Sequence, residues 1–437
     1  MTFSRKHQNS APRRPTDTIS ELKLRSQTKL ALDALCEVLR AVFGGGKPAD
    51  RALSGFFREH HQCGSRDRQF ISEAVFAVFR NWGTLRKYFE EGRCEEIEHG
   101  NGSCTSRELD MLLYGALALE RPDFPATGFV LGTSRAKFKV SADPADRMPE
   151  WVAKYVTSGF PLEAYAARLG ERPPIWLRLQ TPEVTEQLRR FGLLGFQMRQ
   201  VPGVDRAVAL YDAKINLFTL ADYREGKFEV QDLASQAIGL VASPKPGERW
   251  FDACAGAGGK SLQLADLMER KGTVVASDIR SYKLEDLRKR ARRAGFPNIM
   301  TREWDGKPLR AKQCGKFDGV LVDAPCSCSG VWRRNPDGRW TAKASDVAEM
   351  AELQLSILGN ASGGVRPGGV LFFATCSIFE AENRGVVQAF LAAHPEFEPE
   401  AFRHPLNGAM VTDGMLQITP ADEDCDAMFA ARLRRKG

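Results

Sequence analysis

Two cysteines about fifty residues apart are the first candidates for chemistry. "VLVDAPCSCSG", Val320 to Gly330, is an apolar run that ends in Asp323-Ala324-Pro325-Cys326, with Cys328 two residues further on. "VLFFATCS", Val370 to Ser377, is a second apolar run, ending in Thr375-Cys376. Short apolar runs bounded in this way read as buried strands. A cysteine at a strand end is ordinarily an inert packed residue, but it is also where a nucleophilic thiol would stand. Two such ends, one of them carrying an aspartate, favour the second reading.

A third strand end carries glycines. "RWFDACAGAGGKS", Arg249 to Ser261, runs from a strand ending at Asp252 into a glycine turn, and "TVVASD" ends the next strand at Asp278. A triphosphate loop needs G-x-x-x-x-G-K-[ST]. Gly259-Lys260-Ser261 fits its end, but Cys254 stands at the first glycine. A dinucleotide fingerprint fits Gly256 and Gly258 but meets Ser261 at its third glycine. What remains is a loop that lets a ligand approach the backbone at Gly256, Gly258 and Gly259, with a carboxylate at Asp278 to accept ribose hydroxyls. Without a good phosphate site, this suits S-adenosylmethionine, whose tail is an amino acid. A turn needed only for packing a helix on a strand is the plain alternative, and the second acidic strand end weighs against it.

The elements that must position these residues follow from periodicity. From Gly247 onward, apolar strands alternate with helices of 10–15 residues, which predicts a parallel, doubly wound α/β sheet whose ligands gather at the carboxyl ends of strands. Both cysteines should then project into one crevice. "LQLADLMERKG" reads as a helix closed by Gly272. Upstream, "SELKLRSQTKLALDALCEVLRAVF" and "SRDRQFISEAVFAVFRNWGTLRKYF" have helical spacing, the latter opening on a Ser65 cap. Pro144 and Pro149 mark a boundary near residue 145. "RPPIWLRLQ", the helix "VTEQLRRFGLLGF" and further short strands then make a small mixed module. The expected organisation is a basic tail over 1–18, a helical domain over 19–145, a small α/β module over 146–230 and a Rossmann-like domain over 231–437.

Composition sets limits. A chain of 437 residues with 43% hydrophobic and 27% charged residues is expected to be globular and multidomain. Its net charge of +7 is compatible with a polyanionic partner. The N-terminus lacks a signal peptide's apolar segment, and no run approaches the roughly 18 apolar residues of a membrane span. A cytoplasmic protein with ten reduced cysteines is expected. Cys326 and Cys328 form only a C-x-C without a second pair, while Cys94, His99 and Cys104 lie in a polar stretch that reads as exposed loop. No metal is expected. Arg66, Arg68, Arg80, Arg86 and Lys87 are either a phosphate-binding face or a solvated helix surface.

Together, "QDLASQAIGLVASPKPGERWFDACAGAGGKS", "DAPCSCSGVWRRNPD" and "TCSIFEAEN" closely resemble the cofactor, Pro-Cys and Thr-Cys motifs of the RsmB/Sun (Nop-type) family of RNA cytosine-5 methyltransferases. "MPEWVAKYV" and "PPIWLRLQ" look like that family's RNA-binding module, and "ADRALSGFFREHHQCGSRDRQFISEAVFAVFRNW" like the NusB-like helical domain of its bacterial ribosomal-RNA members. The resemblance implies S-adenosylmethionine contacts at Cys254, Ala255, Gly256, Ala257, Gly258, Gly259 and Lys260, at Asp278 for the ribose, and at Asp305 of "EWDGKPL" near the adenine. It sets Asp323 beside the base and the methyl donor. Cys376 matches the nucleophile and Cys326 the thiol that assists product release. The chain departs from the family at Gly256-Ala257, where Ala-Pro is usual, at Gln180, where Asn is usual, and at Cys328, where a small residue is common and no role is assigned.

The implied reaction explains these residue types. Thiolate addition to carbon 6 of cytosine makes carbon 5 nucleophilic toward a methyl sulfonium, an acid at N3 eases the addition, and a base then removes the carbon 5 proton. Because a free thiol is only a few per cent ionised at neutral pH, Lys260, Arg333 or Arg334 is expected to help. Reaching the ring requires single-stranded or flipped RNA. Arg333, Arg334, Arg339 and the helix "LRKRARRAG" are candidate phosphate contacts, and Trp332 or Trp340 is either a stacking platform or a packed aromatic. Small-subunit ribosomal RNA is the expected substrate. Transfer RNA, a non-catalytic assembly role and a nucleotide hydrolase using Gly259-Lys260-Ser261 are the alternatives. Which cytidine is modified and the oligomeric state are left open.

Overall fold

The computed structural model describes residues 21–124, 129, 143–211 and 215–437; the expected basic tail lies outside them. The chain divides into two compact units, the second beginning at Asp143.

The first unit is helical: α1 (Glu21–Leu39), α2 (Ala49–Glu59), α3 (Ser65–Leu85), α4 (Arg93–His99) and α5 (Ser106–Glu120). In α1, Leu24, Thr28, Ala31, Leu35 and Val38 are buried, three or four residues apart, so one stripe faces the core. The start of α5 is fixed by a reciprocal capping box, Thr105 N–H to Glu108 Oε2 at 2.6 Å and Glu108 N–H to Thr105 Oγ1 at 3.3 Å. The cap of α3 is Gly64, not Ser65, and its N–H donates to Asp67 Oδ2 at 3.1 Å. Of the candidate phosphate contacts, Arg80 is buried against Glu120 and Arg86 pairs with Glu95, while Arg66 and Lys87 are exposed. Cys94 is buried within α4 rather than on an exposed loop.

The second unit opens with α6 (Leu162–Arg168) and a small antiparallel sheet of β1 (Ile175–Leu179), β2 (Gln197–Val201), β3 (Val204–Tyr211) and β4 (Phe228–Val230), in the order β2-β3-β1-β4. Between its strands run α7 (Val184–Leu193) and the single turn α8 (Ala221–Arg224). Then comes the expected alternation: α9 (Leu233–Ala242), β5 (Arg249–Asp252), α10 (Gly259–Leu267), β6 (Thr273–Asp278), α11 (Ser281–Ala294), β7 (Ile299–Glu303), β8 (Phe317–Asp323), α12 (Gly338–Thr341), α13 (Ala344–Ser362), β9 (Val365–Thr375) and α14 (Arg384–Ala393). Helix α10 starts and ends earlier than its sequence suggests. Gly272, at φ +81°, instead makes the turn into β6.

Short strands follow: β10 (Phe397–Pro399), β11 (Phe402–Arg403), β12 (Met410–Val411), β13 (Met415–Ile418) and β14 (Met428–Arg435). The large sheet has the order β10-β14-β9-β8-β5-β6-β7, with β13 also on β14. Strands β5 to β9 are mutually parallel, but β14 enters antiparallel beside β9, so the expected all-parallel sheet is in fact mixed. The chain passes from β5 outward to β7 and returns at β8. The crevice between the ends of β5 and β8 is therefore the topological switch point where ligands of such sheets bind. One apolar core, including Trp176 and Ala209 of the small sheet, Leu264 of α10, and Leu321 and Ile418 of the large sheet, runs through both sheets. No helix among the described residues is long and apolar enough to cross a membrane.

Candidate active site

At the switch point the loop after β5 turns tightly over α10. Gly256 and Gly258 have φ of +51° and +91°, the left-handed region that glycine enters without steric cost. A Cβ on Gly258 would strike the Leu287 side chain, whereas at Gly256 and Gly259 it would meet nothing within 4 Å, so the loop is packed beneath and open above. The Ala257 carbonyl accepts from Arg290 at 2.7 Å, and Arg290 is itself paired with Glu229 at 2.9 Å. This brace from α11 holds the loop where the family usually has proline.

Asp278, at the end of β6, is almost fully buried; its Oδ2 accepts the Gly256 N–H at 2.9 Å and its Oδ1 the Arg280 guanidinium at 2.9 Å. Burial alone would raise its pKa, but the Arg280 and Gly256 hydrogen bonds outweigh that and hold the carboxyl below its usual value. Arg280, half-exposed, holds both Asp278 oxygens through its Nε and a terminal nitrogen, at 2.9 and 3.2 Å. Beyond Asp278, Ile279, Trp304, Asp305 and Pro308 line a cavity of about 420 Å³. Asp305 is exposed and pairs with Lys307 at 3.3 Å, so it borders that cavity rather than closing it. An open glycine loop, an anionic carboxylate at the next strand end and a cavity beyond fit a nucleoside with an amino-acid tail.

The thiols lie across the crevice. Asp323 pairs in register with Ala374, so Cys376 emerges just past the level at which β8 ends. The Cys326 and Cys376 sulfurs are 3.3 Å apart, and those of Cys326, Cys328 and Cys376 all lie within 4.8 Å of one another. At Cys376 the hydrogen bond from Cys326 lowers the pKa, but the bond with Cys328 and burial more than reverse this, and the thiol is pushed up to about 12. Hydrogen bonds with Cys328 and Cys376, and then burial, raise Cys326 as well. Cys328, the exposed member, is lowered by hydrogen bonds from Cys326 and Cys376. Asp323, raised by burial against the pull of Lys260, accepts the Lys260 Nζ at 2.8 Å. Asp252, fully buried and bonded to Ser261 Oγ at 2.6 Å, is raised by burial to about 7.

What joins the two thiol loops was missed in the sequence. Glu382, fully buried, accepts Ser327 N–H, Gln354 Nε2 and Ser377 Oγ, each at 2.9 Å, and Gln354 also holds the Pro325 carbonyl at 2.9 Å. Gly330 donates its N–H to the Cys376 carbonyl at 2.8 Å and accepts from Ala427 at 2.9 Å. Glu382 lies within the quoted "TCSIFEAEN", and its spacing from Cys376 is the only sequence signal it had. Several expected RNA contacts are corrected. Arg333 is buried between Asp424 and the Glu171 and Arg172 carbonyls, and Arg339 is fully buried. Trp332 and Trp340 are packed aromatics, not platforms. Gln180 is buried between Arg178 and the Gly226 carbonyl. Arg334, half-exposed and paired with Asp426 at 2.8 Å, still borders the thiols, and Arg288, Lys289 and Arg292 of α11 remain exposed.

A switch-point sheet with a glycine loop, an acidic second strand end and paired thiols defines a Rossmann-like methyltransferase. Residues 239–434 match the 16S rRNA methyltransferase RsmB/F family. The chain is similar to a probable ribosomal RNA small subunit methyltransferase B of Bacillus subtilis, with 33% identity over 69% of this chain and 70% of that protein. It is also similar to ribosomal RNA small subunit methyltransferase B of Klebsiella pneumoniae, with 31% identity over 74% of this chain and 75% of that one. The crystal structure of PH0851 shares the fold, with a TM-score of 0.76 and 24% identity over 93% of this chain and 98% of that one. The chain belongs to the RsmB/F family. It is an S-adenosylmethionine-dependent RNA methyltransferase.

Proposed function

We propose that this protein makes 5-methylcytidine in small-subunit ribosomal RNA, in the cytoplasm, through a transient bond from Cys376 to carbon 6 of the target ring. The observation that carries this reading is the meeting of the Cys326 and Cys376 sulfurs, 3.3 Å apart, beside the Asp323–Lys260 pair at the sheet's carboxyl edge. S-adenosylmethionine, when bound, supplies a methyl group on a positively charged sulfur. The loop from Cys254 to Lys260 and the Asp278 carboxylate hold it, with the cavity bordered by Ile279 and Asp305 as its base-binding side.

The chain's own residues supply the rest. Asp323, its pKa raised by burial, holds a proton or hydrogen bond at N3 as electrons move into the ring, and Lys260 fixes that carboxyl in the crevice. Cys376 gives up its proton to solvent as it attacks, and the Cys326 thiol, 3.3 Å away, donates a hydrogen bond to the forming thiolate. Cys326 assists expulsion of Cys376 once carbon 5 has lost its proton. Glu382 and Gly330 act through the loops, keeping the two sulfurs in reach. Residues 19–145 and 146–230 serve as RNA-binding parts, and the exposed Arg288, Lys289, Arg292 and Arg334 serve as phosphate contacts.

The test is methyl transfer from labelled S-adenosylmethionine to purified small-subunit ribosomal RNA and to tRNA. Label in ribosomal cytosines that disappears with Cys376→Ala is expected. Label in tRNA alone would contradict the substrate, and label retained by Cys376→Ala would contradict the nucleophile.

A further inference from the structure

The third thiol has no part in this reaction. Cys328 is one of four non-glycine residues with positive φ among those described, at +56°, a conformation that costs free energy in any residue with a Cβ. That turn carries its sulfur back over the loop, 3.4 Å from the Cys326 carbonyl and into the group formed by Cys326 and Cys376. Strained backbone that brings a soft, polarisable atom to two others is a common mark of a functional site.

We propose that Cys326, Cys328 and Cys376 together bind one zinc ion, and that the bound ion switches methyl transfer off. The sequence offered only a C-x-C without partners, and folding brings the third ligand from fifty residues away. Thiolates bind zinc at about 2.3 Å, which sets tetrahedral sulfurs about 3.8 Å apart. The present spacings, from 3.3 Å to at most 4.8 Å, bracket that value. Adjustment is confined to side-chain torsions, because the backbones are already locked by Gly330 to Cys376 and by Gln354 to Pro325. Exposed Cys328 gives solvent access and leaves a fourth position for water. Arg334, paired with Asp426 beside the group, offsets the net negative charge of a three-thiolate zinc centre.

The balance is simple. One Zn²⁺ displaces three thiol protons to solvent and forms three zinc–sulfur bonds, with no change of oxidation state. The sulfur electron pair that would attack the ring is then held by the metal. This consequence rests on Cys376 being the nucleophile; the metal site does not.

Cobalt is the spectroscopic probe. The full-length reduced protein titrated with Co²⁺ is expected to bind one equivalent, with the intense visible absorption of tetrahedral thiolate-bound cobalt, and zinc should bleach it. Cys328→Ser and Cys328→Gly, the latter suited to the positive φ, should weaken binding by more than the roughly 10- to 100-fold that loss of an outer hydrogen-bond partner costs. Zinc at one equivalent should stop wild-type methyl transfer, a chelator should restore it, and both variants should be insensitive. Absence of the cobalt spectrum, or an equal spectrum in the variants, overturns the site. A spectrum without inhibition upholds the site and overturns Cys376 as the nucleophile.

Discussion

Gly330→Ala tests whether the thiol geometry is imposed by the loop contact. A Cβ there would lie far inside contact distance of the Ala427 carbonyl oxygen and 2.9 Å from that of Cys376. Restoring an ordinary carbon–oxygen separation of about 3.3 Å requires backbone to retreat by roughly 1 Å, since both obstacles are main-chain atoms. Overpacking of this kind costs about 1–3 kcal/mol. Loss of the 2.8 Å bond from Gly330 to Cys376 adds about 1 kcal/mol. The protein should still fold, because a domain holds about 5–15 kcal/mol in reserve. The catalytic effect is larger, since displacing a reacting group by about 1 Å costs on the order of 100-fold. Single-turnover methyl transfer should therefore fall by about that factor, with S-adenosylhomocysteine binding unchanged and urea unfolding shifted only modestly. Gly363→Ala, where a Cβ meets nothing within 4 Å, is the control and should behave as wild type. A folded Gly330→Ala protein with the wild-type single-turnover rate would refute the reasoning.

Glu382→Ala leaves two buried donors and one part-buried donor without their acceptor and should cost about 3–5 kcal/mol, read as a lower urea midpoint together with loss of methyl transfer; an unchanged midpoint would deny it the joining role. Asp278→Ala removes a charged acceptor at the proposed cofactor position and should weaken S-adenosylhomocysteine by about 100-fold in calorimetry, from about 1.5–3 kcal/mol per charged hydrogen bond. Asp252 gives a pH signature. Its folded pKa of about 7 exceeds the usual carboxyl value, so the folded state binds the extra proton and stability falls as pH rises from about 4 to about 7. Asp252→Asn removes that loss, so its gain in melting temperature should be present at pH 7.5 and vanish near pH 4; an equal gain at both would contradict the assignment.

The strand ends were legible because each is an apolar run that stops at a polar or thiol residue, a pattern that a buried parallel strand imposes. Asp252, Asp278, Asp323 and Cys376 were located on that basis. The positive-φ glycines were legible because few other residues enter that turn. Charge was a poor guide. Arg333 and Arg339 lie near the motif in sequence, but Asp424, some ninety residues on, claims the first, and the core encloses the second. The antiparallel β14 was missed because "MFAARLRR" pairs only through contacts with β9 that no local pattern announces. Glu382 reads as one acid in a polar loop until Ser327 and Gln354 arrive from other elements.

Trapping tests the central claim most directly. Incubated with RNA substrate and S-adenosylmethionine, Cys326→Ala should accumulate a denaturation-resistant protein–RNA species, and Cys376→Ala should form none. Equal trapping by both variants, or trapping by Cys376→Ala alone, would contradict the assignment of attack to Cys376 and release to Cys326.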